Sequence, residues 1–125
     1  MLTARINARF VLALLMVFLM SPAAFGADQA GQTPQVIKIT AKRFEYNPNV
    51  IRIKKGVPVI LEFTSLDRMH GFTVPDLDNI RATIEPGKVT QVRIVAPKAG
   101  TYEFHCDLFC GSGHEGMTGK IIVEE

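Results

Sequence analysis

The chain has 125 residues, of which 47% are hydrophobic and 21% charged, with a formal net charge of +2. That balance lacks the basic footprint nucleic acid requires. The length allows one domain with a modest core beside an export segment.

Met1 to Arg9 carries Arg5 and Arg9 and no acid. Phe10 to Met20 is an unbroken apolar run, and Ala24 and Gly26 place small side chains ahead of Ala27. A basic start, a short apolar run and a small-residue cleavage site read as a signal peptide over residues 1–26. The apolar run is well short of the ~20 residues that cross a bilayer core. The longer uncharged stretch 10–27 leaves an uncleaved N-terminal anchor as the rival reading. Either way the remainder is expected in a periplasmic or extracytoplasmic compartment, touching a membrane only through that segment. Removing Arg5 and Arg9 takes the 14 basic residues to 12, matching the 12 acidic ones, so the positive excess belongs to the leader.

Residues 27–34 (ADQAGQTP) are small and polar and read as a flexible lead-in. From Gln35 onward the period is two. Ile37 and Ile39 alternate with Lys38 and Thr40, and Ile51 and Ile53 with Arg52 and Lys54. Val57, Val59, Leu61 and Phe63 take one face, with Pro58, Glu62 and Thr64 on the other. His70, Phe72 and Val74 share a face, and Val92 and Ile94 flank Arg93. Tyr102, Phe104 and Cys106 oppose Thr101, Glu103 and His105, and a last strand begins at Gly119. Turn signals at Asn47-Pro48, Lys55-Gly56, Pro86-Gly87 and Lys98-Ala99-Gly100 punctuate these runs. The pattern predicts one all-β sandwich or barrel over residues 35–125.

The segment between the last two predicted strands carries the chemistry. Cys106, Cys110, His114 and Met117 fall within 12 residues, and both cysteines of the chain are here. Thiolate and thioether are soft donors and imidazole suits copper, so the set favours copper over hard cations. His70, far upstream, supplies a further nitrogen donor from another strand. Two plainer readings compete. A Cys106–Cys110 disulfide would close a loop so short that it adds only about 2 kcal/mol, and it leaves His114 and Met117 without a role. A zinc site from Cys106, Cys110, His114 and His70 leaves Met117 unused. Met117 alone reads as core filler, but it stands three residues after His114. His105 should point away from the face of Cys106, and Met69 away from that of His70.

Residues 100–117 (GTYEFHCDLFCGSGHEGM) resemble the CuA loop of cytochrome c oxidase subunit II and of nitrous oxide reductase. The shared pattern is Cys-x3-Cys-x3-His-x2-Met with an upstream histidine. The similarity covers about residues 35–125 and implies a Greek-key, cupredoxin-like β-sandwich. It further implies two copper ions bridged by the thiolates of Cys106 and Cys110. His70 and His114 would each bind one ion, with Met117 and the carbonyl of Leu108 as weak axial ligands. Phe72, Phe104 and Phe109 would belong to the surrounding apolar shell. Single-copper blue proteins lack the first cysteine, so Cys106 separates the two classes.

Three departures set this chain apart from an ordinary oxidase subunit. Leu108 stands where subunit II usually has a glutamate whose side chain helps bind magnesium. The chain has no tryptophan, and no hairpin of two membrane spans is visible. The expectation is a free-standing electron carrier or an accessory copper protein rather than an enzyme in its own right. Its partners would be redox proteins such as a c-type cytochrome or a terminal oxidase or reductase. A copper storage or delivery protein, and a mononuclear copper carrier, are the alternatives. Of the two histidines, His114 at the loop end is expected nearer to solvent.

Overall fold

Alternating apolar residues become strands throughout the computed structural model, which describes residues 33–125. The leader expected over 1–26 and most of the lead-in over 27–34 lie outside the described residues. The strands are β1 (Gln35–Lys42), β2 (Glu45–Asn47), β3 (Val50–Lys54), β4 (Val59–Ser65), β5 (His70–Val74), β6 (Ile80–Ile84), β7 (Val89–Ile94), β8 (Gly100–His105) and β9 (Thr118–Glu124). One 3-10 turn, His114–Gly116, interrupts the β8–β9 connection. Among the described residues, no helix is long and apolar enough to cross a membrane.

Two sheets form, with strand orders β2-β1-β4-β7 and β3-β9-β8-β5-β6. The chain changes sheet after β2, β3, β4, β6 and β7, so it weaves between layers rather than meandering within one. The β1–β4 and β3–β9 pairs are parallel and the remaining named pairs antiparallel. Register aligns the apolar faces: Ile39 lies beside Phe63 in one sheet, and Ile51 beside Ile121 in the other. Ile39, Leu61, Phe63 and Ile94 thus meet Ile51, Phe72, Phe104 and Ile121 in a buried core. Each such side chain contributes about 1.5–3 kcal/mol on leaving water. Phe72 is central to an aromatic cluster, its ring 4.6 Å from that of Phe63, 5.2 Å from Phe104 and 6.4 Å from Tyr46. Edge and tilted contacts of this kind lock ring orientation.

Two elements differ from the sequence expectation. Val57 does not share the face of Val59, Leu61 and Phe63: it is 38% exposed and sits in the turn after Gly56, with its N–H on the carbonyl of Lys54. Strand β5 is buried on both faces, although only His70, Phe72 and Val74 follow the inward alternation. Gly71 and Thr73 face outward and are covered all the same, because the segment after Cys106 folds back across β5.

Candidate metal centre

His70 opens β5, and the residues that follow β8 curl over it. Cys106 leaves β8 with its N–H on the carbonyl of Met117, which closes the neck of the 106–117 loop at 3.1 Å. The loop therefore hangs from two adjacent antiparallel strands, and its sulfur atoms point into the end of the core. Cys106, Cys110 and Met117 are 0–2% exposed, and His70 is fully buried.

The donor atoms converge. The metal-binding atoms of His70, Cys106 and Cys110 all lie within 4.8 Å of one another. The two sulfurs are 3.7 Å apart and unbonded, so both thiols are free. That spacing is shorter than twice a metal–thiolate bond of ~2.3 Å, so one ion can touch both sulfurs. The thioether of Met117 lies 3.9 Å from Cys110 Sγ. The carbonyl oxygen of Leu108 lies 3.0 Å from Cys106 Sγ, on the side of the site. His114 is not in the close group: it stands on the 3-10 turn with its ring 5.5 Å from that of Phe109. Its Nδ1 is nonetheless buried without a partner, as is the Nδ1 of His70. Two imidazole nitrogens without partners thus accompany two thiols and a thioether, and the protein itself does not use those ring nitrogens. The chemistry of that set, soft sulfur with imidazole, fits copper.

Electrostatics define the role of His70 further. Its Nε2 meets Asp67 Oδ1 at 2.6 Å, so the carboxylate accepts the Nε2–H hydrogen bond and the neutral ring keeps its lone pair on Nδ1. Asp67 also accepts the backbone N–H groups of Arg43 and Arg68 at 2.8 and 2.7 Å. Partial burial opposes its ionisation, but His70 and these two amides outweigh that and hold the Asp67 carboxyl well below the usual carboxylate range. Burial pushes the Cys110 thiol up to about 11, and the neighbouring Cys106 adds to the rise. Burial, then Cys106 and Cys110, likewise raise the Tyr46 hydroxyl well above its ordinary value. The metal-free pocket thus favours the protonated Cys110 thiol, and an incoming cation would make the thiolate tolerable there.

Four supporting residues escape a reading of motifs. Tyr46, on the short strand β2, donates to the carbonyl of Gly71 at 2.5 Å. Phe44 lies over the loop: a Cβ on Gly113 or Gly111 would meet its ring at 2.5 or 2.9 Å. Gly71 donates its N–H to Cys106 Sγ at 3.3 Å. Asp67 had one available signal, its position three residues before His70. Of the shell expected from sequence, Phe72 and Phe104 are fully buried, whereas Phe109 is 76% exposed. His105 is exposed on the outward face and Met69 is 48% exposed.

The cupredoxin-like domain family matches residues 9–123. Cytochrome c oxidase subunit 2 of Thermus thermophilus is 36% identical over 97 residues, covering 78% of this chain and 71% of that protein. Nitrous-oxide reductase of Ralstonia nicotianae is 32% identical over 92 residues, covering 70% of this chain but 14% of that enzyme. The periplasmic domain of subunit II of cytochrome oxidase from Bradyrhizobium japonicum superposes with a TM-score of 0.68 at 20% identity, covering 78% of this chain and 88% of that domain.

Proposed function

This chain belongs to the cupredoxin-like domain family and is homologous to the CuA domains of oxidase subunit II and nitrous-oxide reductase, and from that premise we propose that it is an exported protein carrying single electrons through a binuclear copper centre. The ligands in this reading are His70, Cys106, Cys110, His114, Met117 and the carbonyl of Leu108. The observation that carries it is the pair of buried, unbonded thiols 3.7 Å apart, grouped with the buried imidazole of His70, whose Nδ1 has no partner. A mononuclear blue site needs one cysteine; the second, equally buried, has no use there.

Copper supplies a one-electron couple at this position. The chain's residues supply the rest. Cys106 and Cys110 would hold the copper and take up part of its charge, so that little geometry would have to change with redox state. The β5 and β8 strands and the Cys106–Met117 neck fix the sulfurs in advance, which keeps reorganisation small. Phe72 and Phe104 pack behind the site and Met117 closes it, which excludes water. Asp67 holds the ring of His70. His114 is half-buried beside exposed Phe109 and gives the edge through which a partner can approach. Leu66, at 61%, and Met69 are exposed apolar side chains in the β4–β5 connection, next to His70. A c-type cytochrome or a terminal oxidase or reductase is the class of partner such a surface suits. With no net charge on the body, association should depend weakly on salt.

The mononuclear reading draws on one observation, the position of His114 outside the close group. Binding of metal is expected to draw that ring in, since donor sites are rarely complete without their ion. Copper counting on wild type and Cys106→Ser decides. Two ions per chain falling to one in the variant supports the binuclear reading. One ion in both supports the mononuclear reading. No retained copper in either leaves a thiol module.

A further inference from the structure

The outward face of β5 is the least expected surface of the molecule. Gly71 and Thr73 point away from the core, yet Thr73 is 2% exposed and its hydroxyl is buried without a partner. A Cβ on Gly71 would stand 2.1 Å from Asp107 Oδ1, 2.8 Å from the amide nitrogen of Leu108 and 2.9 Å from that of Asp107. The first turn of the ligand loop therefore rests directly on the β5 backbone, with the Asp107 side chain folded into the space a larger residue would fill. Across the sheet, Arg81 is the register partner of Thr73 on β6. Its guanidinium lies 3.7 Å from Asp107 Oδ2. Among the described residues, Arg81 forms the one salt bridge to Asp107.

We propose that Arg81 and Asp107 form a latch that seats the Cys106–Leu108 segment on Gly71 and so aims the Cys106 sulfur and the Leu108 carbonyl into the metal site. The inference rests on the copper reading above. The segment is held at three points: the Cys106 N–H on Met117, the Gly71 N–H on Cys106 Sγ, and Arg81 on Asp107. Asp107 lies between the two ligating residues, so a shift of its backbone reaches the Leu108 carbonyl through one planar peptide and the two soft torsions of Leu108. A weakly held carbonyl donor at Leu108 would be sensitive to such a shift, and partners of ligands commonly set how firmly a metal is held. Arg81 and Asp107 act through Cys106 and Leu108 and are positioning residues; neither touches the metal in this arrangement. Asp107 keeps only 23% of its side chain exposed while Arg81 keeps 69%, so the pair is shielded on the Asp107 side alone.

The test uses the full chain loaded with copper, with Arg81→Gln, Asp107→Asn, the double variant and Arg81→Lys. Copper release to a Cu(I) chelator and the midpoint potential are measured for each. Charge alone would move the potential up in Asp107→Asn and down in Arg81→Gln. A latch instead makes both single variants release copper about three- to tenfold faster, in the same direction, with a visible spectrum altered alike. The double variant should be no faster than either single, and Arg81→Lys should recover most of the wild-type rate. Unchanged release rates, or effects that multiply in the double variant, would overturn the latch while leaving the copper site intact. Failure of the wild-type chain to retain copper would instead overturn the reading on which it rests.

Discussion

Replacing Gly71 with alanine tests whether the ligand loop truly rests on β5. The new methyl would meet the Asp107 and Leu108 amide nitrogens at 2.9 and 2.8 Å, over half an ångström inside the ~3.5–4.0 Å of a comfortable contact. These are backbone atoms, so the loop has to lift rather than a side chain swing aside. Overpacking of this kind costs about 1–3 kcal/mol, against which alanine recovers roughly 0.5–1 kcal/mol of glycine's entropic handicap in a strand. A net loss of about 1–2 kcal/mol should lower Tm by about 5–15 °C for a domain of this size. Lifting the loop should also loosen copper, because the Gly71 N–H moves away from Cys106 Sγ. Calorimetry of the metal-free protein and chelator competition of the loaded protein read the two effects. Gly116→Ala is the control, since a Cβ there meets nothing within 4 Å. An unchanged or raised Tm in Gly71→Ala would mean that the loop does not seat on β5, and the account of the site's geometry would fail with it.

Three other outcomes follow from the same geometry. Asp67→Asn weakens the bond that orients His70 and should cost about 10–100-fold in copper affinity, read by chelator competition; unchanged affinity would show that Asp67 does not orient the ring. The Cys110 thiol, pushed up to about 11 by burial, makes metal-free stability pH-dependent. The folded state favours the protonated thiol, so this stabilisation is full below the unfolded value of ~8.5 and is lost as pH rises towards 11; a urea midpoint that holds steady from pH 8 to 10.5 contradicts it. Met117→Leu conserves volume in a fully buried position, so stability should fall by less than about 1.5 kcal/mol, while the visible spectrum and midpoint potential shift because a soft donor is gone; identical spectra would return Met117 to the role of core filler.

Much of the sandwich is legible as alternation, because a sheet buried on one face writes its period into the residues: Ile51 and Ile53, or Leu61 and Phe63, are inward as their spacing requires. β5 is the exception, since its outer face is roofed by a distant loop, and a five-residue stretch containing Gly71 and Thr73 cannot show what will cover it. β2 is too short for any period to appear, so Tyr46 gave no sign of reaching Gly71. Val57 continued the apolar alternation but fell in a turn, where the Gly56 backbone decides direction. At the site, the local donors of the loop are legible by spacing, as is the need for a distant histidine. What spacing does not convey is contact between loops: Phe44 over Gly111 and Gly113, Asp67 on His70, and Arg81 on Asp107 each join residues far apart in the chain or hidden among ordinary surface charges. His114 shows the converse. Its place in the motif is plain, yet in the structure it stands beside Phe109, apart from the tight group of His70, Cys106 and Cys110.

In the proposed centre, the thiolates of Cys106 and Cys110 share one electron's worth of charge between two copper ions. Electron paramagnetic resonance of the copper-loaded, partly oxidised protein tests it most directly. Hyperfine structure from two equivalent copper nuclei is expected, with the unpaired electron spread over both. A pattern from a single copper nucleus would contradict it.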